Sequence, residues 1–310
     1  MVDAMEALRD DITALRSLAI IVLNWNNAKD TIDCVESLSA WSSIKPDIYV
    51  VDNASTDNSP QEIERRFPRI TIIKNKTNLG FAGGNNIGIK RAIENRANNI
   101  LLLNNDAEVK EADVSRLIAT LHDRPDIAAI GPRLRVGSAV YAGGCDIGLH
   151  TDTHIHWYPC MGRDGIKKVE YVPGTAFLIR STAIETVGLL DEDYFFSGEI
   201  ADLCRRIYNA GLTCYIDLGT EAIHAVHGPS RTRDLLHTYY SMRNRFLYVK
   251  KHYRGQRFKL YGKWIKYSLG DLTSSVIHGN LGRSKTILLA LCDGVSGRFG
   301  DRNDRFIAWL

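Results

Sequence analysis

The sequence predicts an α/β fold: a mainly parallel central sheet flanked by helices, followed by a helical C-terminal extension. Three observations carry that prediction. From Leu18 onward, short β-branched runs alternate with longer helical patterns, the rhythm of repeated strand–helix–strand units. The strand candidates are continuously apolar rather than alternating, so both faces of the sheet should be covered by helices. Beyond Arg231 the pattern becomes wholly helical. With 310 residues, 45% of them hydrophobic and 24% charged, the chain has ample apolar material for a core, which excludes a disordered polymer.

The elements follow in order. LAIIVL (18–23) and DIYVVD (47–52) read as strands around a helix near 29–40, and ITIIK (70–74) follows a helix near 60–67. A helix near 85–95 leads to NILLLNN (99–105), and a helix near 111–122 leads to IAAIGP (127–132). Residues 133–170 are irregular and carry His150, His154 and His156, which read as an exposed loop cluster rather than a metal site. The pattern sharpens with YVPGTAFLIR (171–180), a helix from Ser181, and a helical run in 189–211 ending at Gly211, a natural C-terminal cap. TCYID (213–217) and EAIHAV (221–226) read as two further strands. Three helical stretches close the chain, at 235–253, at 258–277 and near 284–292. The organisation expected is a helical extension over 1–17, an α/β domain over 18–230 and a basic helical region over 231–310.

Charge is unevenly distributed. Residues 231–310 hold 16 Lys and Arg against 5 Asp and Glu, whereas the rest of the chain is net acidic. A basic helical segment suits an anionic surface, or a solvated face with no partner. The six cysteines form no CxxC pair, no apolar run approaches the roughly 20 residues that cross a bilayer, and the N-terminus lacks a signal-peptide pattern. A cytoplasmic protein is expected.

Polar residues gather where strands end. VLNWNN, VVDNASTD and LLLNNDAE would deliver Asn24, Asp52, Asn53, Asn104, Asn105 and Asp106 to one rim of the sheet, where open α/β sheets bind ligands. The loop NLGFAGGNNIG (78–88) places Gly80, Gly83 and Gly84 before a helix, where backbone N–H groups could approach an anion. It matches neither GxGxxG nor GxxxxGK[ST], so a Rossmann dinucleotide site and a P-loop are both unsupported.

Taken together and in order, VLNWNN, VDNASTD, NLGFAGGNNIG, LLLNND, PGTAFLIR, DEDYFFSGEIADLCRR and AIHAVHGPS resemble the family 2 glycosyltransferases, especially rhamnosyltransferase-like members, over about residues 18–230. The resemblance implies a GT-A fold, a nucleotide-diphosphate sugar donor (dTDP-, UDP- or GDP-linked), a divalent metal (Mg²⁺ or Mn²⁺) and inverting transfer. It puts Asn24, Trp25, Asp52 and Asn53 around the nucleobase and ribose. The loop 78–86, with Asn78, Gly80, Gly83 and Asn85, would run along the nucleotide, with Asn105 beside it. Asn104-Asn105-Asp106 occupies the family's DxD position, so Asp106 alone offers a carboxylate there, and His224 (or its neighbour His227) would complete the metal shell. In SGEIADLC the family's usual Asp after the Glu is Ile200, which leaves Glu199 as the general base and Asp202 as the second candidate, although acids also favour the first turn of a helix. Gly174 and Thr175 would line the acceptor side.

The basic tail has two readings. Its Lys and Arg, with Phe246, Trp264 and Tyr267, could lie on the inner leaflet of a membrane, where polyprenyl-linked acceptors reside. Alternatively the aromatics pack the tail onto the catalytic domain, or against a second copy of the chain. No nucleic-acid motif accompanies the charge, so no nucleic-acid partner is expected. The function expected is transfer of a sugar, rhamnose being one candidate, to a hydroxyl of a cell-surface glycan or lipid-linked acceptor. The alternative is a noncatalytic glycan- or partner-binding subunit that keeps the fold.

Overall fold

The computed structural model describes residues 18–144, 157–160, 162–225 and 231–307. The 1–17 extension, the His150, His154 and His156 cluster, and His227 lie outside the described residues.

Strands β1 (Leu18–Asn24), β2 (Asp47–Asp52), β3 (Thr71–Lys74) and β4 (Asn99–Asn104) form a parallel half-sheet in the order β3-β2-β1-β4. Its companions are β5 (Ala107–Val109), β6 (Ile127–Val136), β7 (Ala139–Gly144), β8 (Trp157–Pro159), β9 (Ile166–Val169), β10 (Ala176–Arg180) and β11 (Thr213–His224). The sheet continues from β4 as β10-β6-β11-β5, with β10 antiparallel to both neighbours. The two strands expected at 213–217 and 221–226 are one strand, β11. Its register against β6 slips between Asp217 and Glu221, so the polar DLGT interruption is absorbed as a bulge rather than a turn.

Continuous apolarity in the central strands does what it predicts. Ala19 and Ile21 face one core and Leu18, Ile20 and Val22 the other, as do Ile100 and Leu102 against Leu101 and Leu103. Helices α1 (Ala28–Ser39), α2 (Ser59–Arg66), α3 (Gly80–Glu94), α4 (Glu111–Asp123), α5 (Ser181–Val187) and α6 (Glu199–Asn209) cover the sheet. Helix α1 starts on an Asn27 side-chain cap, α2 carries Pro60 in its first turn, and α6 ends at Gly211 with φ +79°. Helix α3 begins at Gly80, about a turn before the expected start, because tertiary partners compensate for its poor helix formers.

Three long helices follow: α7 (Arg231–His252), α8 (Arg257–Ile277) and α9 (Leu281–Val295). Phe246, Leu247, Tyr248 and Val249 of α7 share a core with Tyr194 and Ala201 of the α/β body and with Leu260 and Trp264 of α8. Of the two readings of the tail aromatics, packing onto the α/β body is the one Phe246 and Trp264 follow, with Tyr267 half-buried beside them. Phe246 is fully covered, Trp264 is 1% exposed, and Tyr267 stands edge-on to Trp264 with the Arg245 guanidinium over both rings. Interleaved basic and aromatic residues stack on one another here instead of facing lipid.

Helix α9 is held to α7 by the fully buried Asp293, which accepts from the Tyr239 hydroxyl at 2.7 Å and pairs with Arg305 at 2.9 Å. Gly294 lets α9 approach closely, since a Cβ there would stand 2.4 Å from Cδ2 of Phe246, a ring with no room to yield. Gly294→Ala should destabilise the protein by about 1–3 kcal/mol through overpacking. A lowered urea midpoint with an unchanged denaturant slope would show it.

Candidate functional site

The rim is assembled by buried hydrogen bonds between strand ends. Asn24, fully buried at the end of β1, donates to Asp52 Oδ1 at 2.8 Å and accepts from Thr31 Oγ1 at 2.8 Å. Asp52 also accepts from the Ser55 hydroxyl and backbone N–H, which fixes the turn after β2. Trp25 is left on the outer edge, 46% exposed beside this knot. Asn105 donates to Thr31 Oγ1 at 3.0 Å, tying the end of β4 to the same cluster.

Asn53 is consumed internally. Its amide donates to Asn78 Oδ1 and the Gly80 carbonyl, and its carbonyl oxygen accepts from the Asn75 amide and the Leu79 N–H, which fills its four hydrogen-bonding positions. It shapes the 78–86 loop from beneath. Asn85 is 2% exposed and donates to the Phe81 carbonyl.

The glycine loop does not present free N–H groups to an anion, contrary to the expectation. Gly80 N donates to Asn78 Oδ1, while Phe81 N and Ala82 N converge on the Phe195 carbonyl at 2.7 and 3.4 Å. A Cβ on Gly80, whose φ is +70°, would lie 2.2 Å from that carbonyl. Glycine is needed there for the approach of the 192–198 segment. Gly83 sits one turn on, near the Glu192 carboxylate.

At the far side of the rim, register creates a pair. Ala107 opens β5 directly opposite His224 of β11, so Asp106 and His224 meet, with Oδ1 and Nε2 3.0 Å apart. Arg233, in the first turn of α7, reaches Asp106 Oδ2 at 3.5 Å. Burial works to raise the Asp106 pKa, but the His224 hydrogen bond and the charges of His224 and Arg233 outweigh it and hold the carboxyl below its ordinary value. Asp106 and His224 bring a carboxylate oxygen and an imidazole nitrogen together, a pair of donor atoms that would suit a hard divalent cation. Among the described residues no cluster of three acidic, His or Cys side chains stands ready for a metal.

The two acids of α6 have opposite surroundings. Asp202 is fully buried and faces Arg206 at 2.8 Å, Lys251 at 2.5 Å and His252 at 2.8 Å. Burial alone would raise its pKa; the His252 hydrogen bond and the charges of Arg206 and Lys251 reverse that and hold it far below the usual carboxylate range. Such a group is a poor proton acceptor. Glu199, at the first position of α6, is 5% exposed, and its Oε2 has no hydrogen-bond partner among the described residues. Burial, reinforced by the Asp202 charge and opposed by its own backbone N–H, pushes it up to about 7.

Gly174 and Thr175 bridge the two halves of the rim. The Thr175 carbonyl accepts from Asn104 N at 3.0 Å, and a Cβ on Gly174 would stand 2.9 Å from Ile200 Cγ1, so Gly174 serves close packing beside Glu199. Tyr171 completes this side. Its phenol is pushed up by burial and by the nearby Cys204 and Glu199, and it accepts from the Gly174 N–H. Sequence reasoning missed Tyr171 and Arg233. Neither has a local signature, since one lies before a strand and the other in a basic helical run.

The model of glycosyl transferase family 2 matches residues 19–188, more than half of the chain. The chain belongs to glycosyl transferase family 2. It is 27% identical over 245 residues to the low-salt glycan biosynthesis hexosyltransferase Agl10 of Haloferax volcanii, a match covering 76% of each chain. It is 22% identical over 284 residues to the N-acetylglucosaminyl-diphospho-decaprenol L-rhamnosyltransferase of Mycobacterium tuberculosis, covering 83% of this chain and 92% of that one. Among solved structures, GalNAc-T7 with UDP, GalNAc and Mn²⁺ superimposes with a TM-score of 0.65 at 14% identity, covering 92% of this chain and 58% of that one. The fold of this family 2 member is thus the GT-A fold expected from its motifs.

The Glu199 environment has a thermodynamic consequence. Its folded pKa of about 7 lies above the ordinary value of 4.5. The native state therefore holds this proton more tightly than the unfolded chain, and stability from this group is present below pH 4.5 and lost as pH rises through 7. Glu199→Gln should accordingly be more stable than the parent at pH 8, with the gap closing toward pH 4.5. Urea midpoints of both proteins at pH 5 and pH 8 would test this.

Proposed function

We propose that this glycosyltransferase is inverting and metal-assisted, and that it moves a hexosyl residue, rhamnose being the leading candidate, from a nucleotide diphosphate to a hydroxyl of a glycan or lipid-linked acceptor. The observation that carries the reading is Glu199: a buried carboxylate with an unpartnered oxygen and a pKa near 7, on the acceptor side of a rim whose other end holds Asp106, His224 and Arg233. Names of relatives support the sugar class, since one is an L-rhamnosyltransferase and another a hexosyltransferase.

In this mechanism Asp52 and Trp25 receive the base and ribose, Asp52 being oriented by Asn24. Asp106 and His224 hold the divalent cation, Mg²⁺ or Mn²⁺, which supplies charge neutralisation at the diphosphate. Arg233 adds a second positive group there. Glu199 Oε2 accepts the proton of the acceptor hydroxyl as that oxygen bonds to C1 of the sugar. The C1–O bond to the diphosphate breaks, and its electron pair stays on the diphosphate oxygen. A carboxyl pushed up to about 7 by burial is a stronger base than an ordinary carboxylate and can take the proton as attack proceeds. Asp202, held by the cations Arg206 and Lys251 and by a hydrogen bond with His252, keeps its charge beneath Glu199.

A panel of UDP, dTDP and GDP with Mn²⁺ or Mg²⁺ tests the donor site by thermal shift. One nucleotide should raise the melting temperature only with metal, and Asp106→Ala should abolish the shift. Glu199→Gln should keep the shift yet lose about 10²- to 10⁴-fold in turnover of the matching sugar nucleotide. Binding without turnover by the parent protein would support the noncatalytic reading instead.

Association with an anionic membrane surface is part of the same proposal, through a different face from the aromatics named in the sequence. Phe258 (89% exposed) and Ile277 (76% exposed) lie on α8 and Leu281 (67% exposed) on α9, with Leu269, Val276 and Leu288 also exposed. Between residues 254 and 292 seven Lys or Arg accompany one acid, Asp271, which is paired to Arg283. Such a face repels its own copy and attracts anionic lipid. No described helix is long and apolar enough to cross a membrane. The protein should sediment with vesicles containing phosphatidylglycerol but not with pure phosphatidylcholine. The triple variant Lys259→Glu, Lys266→Glu, Lys285→Glu should lose that binding; retention would sink the assignment.

A further inference from the structure

The segment leading into Glu199 adopts a costly backbone. Phe195 (φ +61°), Ser197 (φ +70°) and Gly198 (φ +102°) all lie in the left-handed region, and only the last is a glycine. Non-glycine residues persist there when their surroundings over-determine the conformation. The surroundings are two adjacent side chains of α7. Asn244, 3% exposed, donates from Nδ2 to the carbonyls of Tyr194 at 2.9 Å, Phe196 at 3.0 Å and Ser197 at 2.6 Å. Arg243, fully buried, donates to the carbonyls of Asp193 at 3.1 Å and Tyr194 at 3.0 Å, to Gly300 at 2.6 Å, and to Asn244 Oδ1 at 2.9 Å. Its guanidinium lies over Tyr240 and Tyr239, 4.7 and 5.4 Å from the ring centroids.

We infer that Arg243 and Asn244 are positioning residues for Glu199: by gripping the carbonyls of residues 193–197 they hold the left-handed turn that aims the first residue of α6 into the acceptor side of the site. The inference rests on Glu199 being the base. A buried guanidinium bound to carbonyls rather than a carboxylate is an expensive way to fasten two helices. Apolar residues would fasten them as well, and α7 already supplies Phe246, Leu247 and Val249 for that purpose. What carbonyl-directed donors add is control over peptide orientation, one plane at a time. The same segment returns the grip on its other side, because the Phe195 carbonyl accepts the first N–H groups of α3. The turn thus joins the base to the loop expected along the nucleotide.

Asn244→Ser keeps one donor and Asn244→Ala keeps none, and Arg243→Lys keeps the charge without the planar fork. In these variants the nucleotide-dependent thermal shift should remain. Turnover of the sugar nucleotide should fall roughly 10- to 100-fold, graded Asn, Ser, Ala, because the base is misplaced while the donor site is intact. The carboxyl of Glu199, followed by ¹³C NMR against Glu199→Gln, should titrate at a different pH from the parent. Asp202 and Tyr171 stand near it in every variant, so a change reports its placement. Unchanged turnover and titration, turnover that falls only in step with nucleotide binding, or variants that all fail to fold would overturn the inference. Full turnover by Glu199→Gln would sink the base assignment itself. An inactive Glu199→Gln beside a fully active Asn244→Ala would sink the positioning role alone.

Discussion

The backbone between Phe195 and Gly198 is the constraint on which the rest of the site depends. Three left-handed residues in four cannot be sustained by local sequence, so the chain recruits donors from α7 and offers its own carbonyl to α3. A helix placed early in the chain, a turn in the middle and a helix near the end meet at one short stretch. The parallel half-sheet supplies the rigid floor, and the left-handed turn decides where Glu199 stands relative to the floor's polar rim.

Two carboxylates one helical turn apart show how little the residue type determines. Glu199 and Asp202 share α6, yet one is buried with an unpartnered oxygen and its neighbour's charge, the other faces Arg206, Lys251 and His252. Their proton affinities are driven in opposite directions. The two effects are linked, because the charge held on Asp202 is one of the causes that raises Glu199. Arg206 and Lys251, with the His252 hydrogen bond, thereby help to raise the proton affinity of the carboxyl at the start of the helix.

Much of this was legible in the chain. Continuous apolar runs gave away the strands, and Asn and Asp at their ends gave away the rim, because strand termini are the places where a buried sheet can turn polar. Asp106 and His224 could be paired from ordered motifs, although their meeting depends on the β5–β11 register, which spans more than a hundred residues. The inward roles of Arg243, Asn244, Lys251 and His252 were hidden. Polar side chains on the buried face of α7 blur the helical period that announces burial, and their partners lie 47 or more residues away. The glycine loop misled for a related reason: glycines before a helix look alike whether they admit a phosphate or, as here, another stretch of backbone. Trp264 and Phe246 left two readings open because aromatic and basic residues interleave at membrane interfaces and in cation–π stacks alike; the packing reading is the one these two side chains follow.

Helix α7 touches Asp106 through Arg233, the left-handed turn through Arg243 and Asn244, and Asp202 through Lys251 and His252. Its 22 residues act as a ruler laid along the site. A family member built this way cannot exchange its C-terminal helices with a relative as though they were an appended module. Any chimera joined near residue 230 would import a foreign ruler, and with it a different spacing between Asp106 and the turn that leads into Glu199.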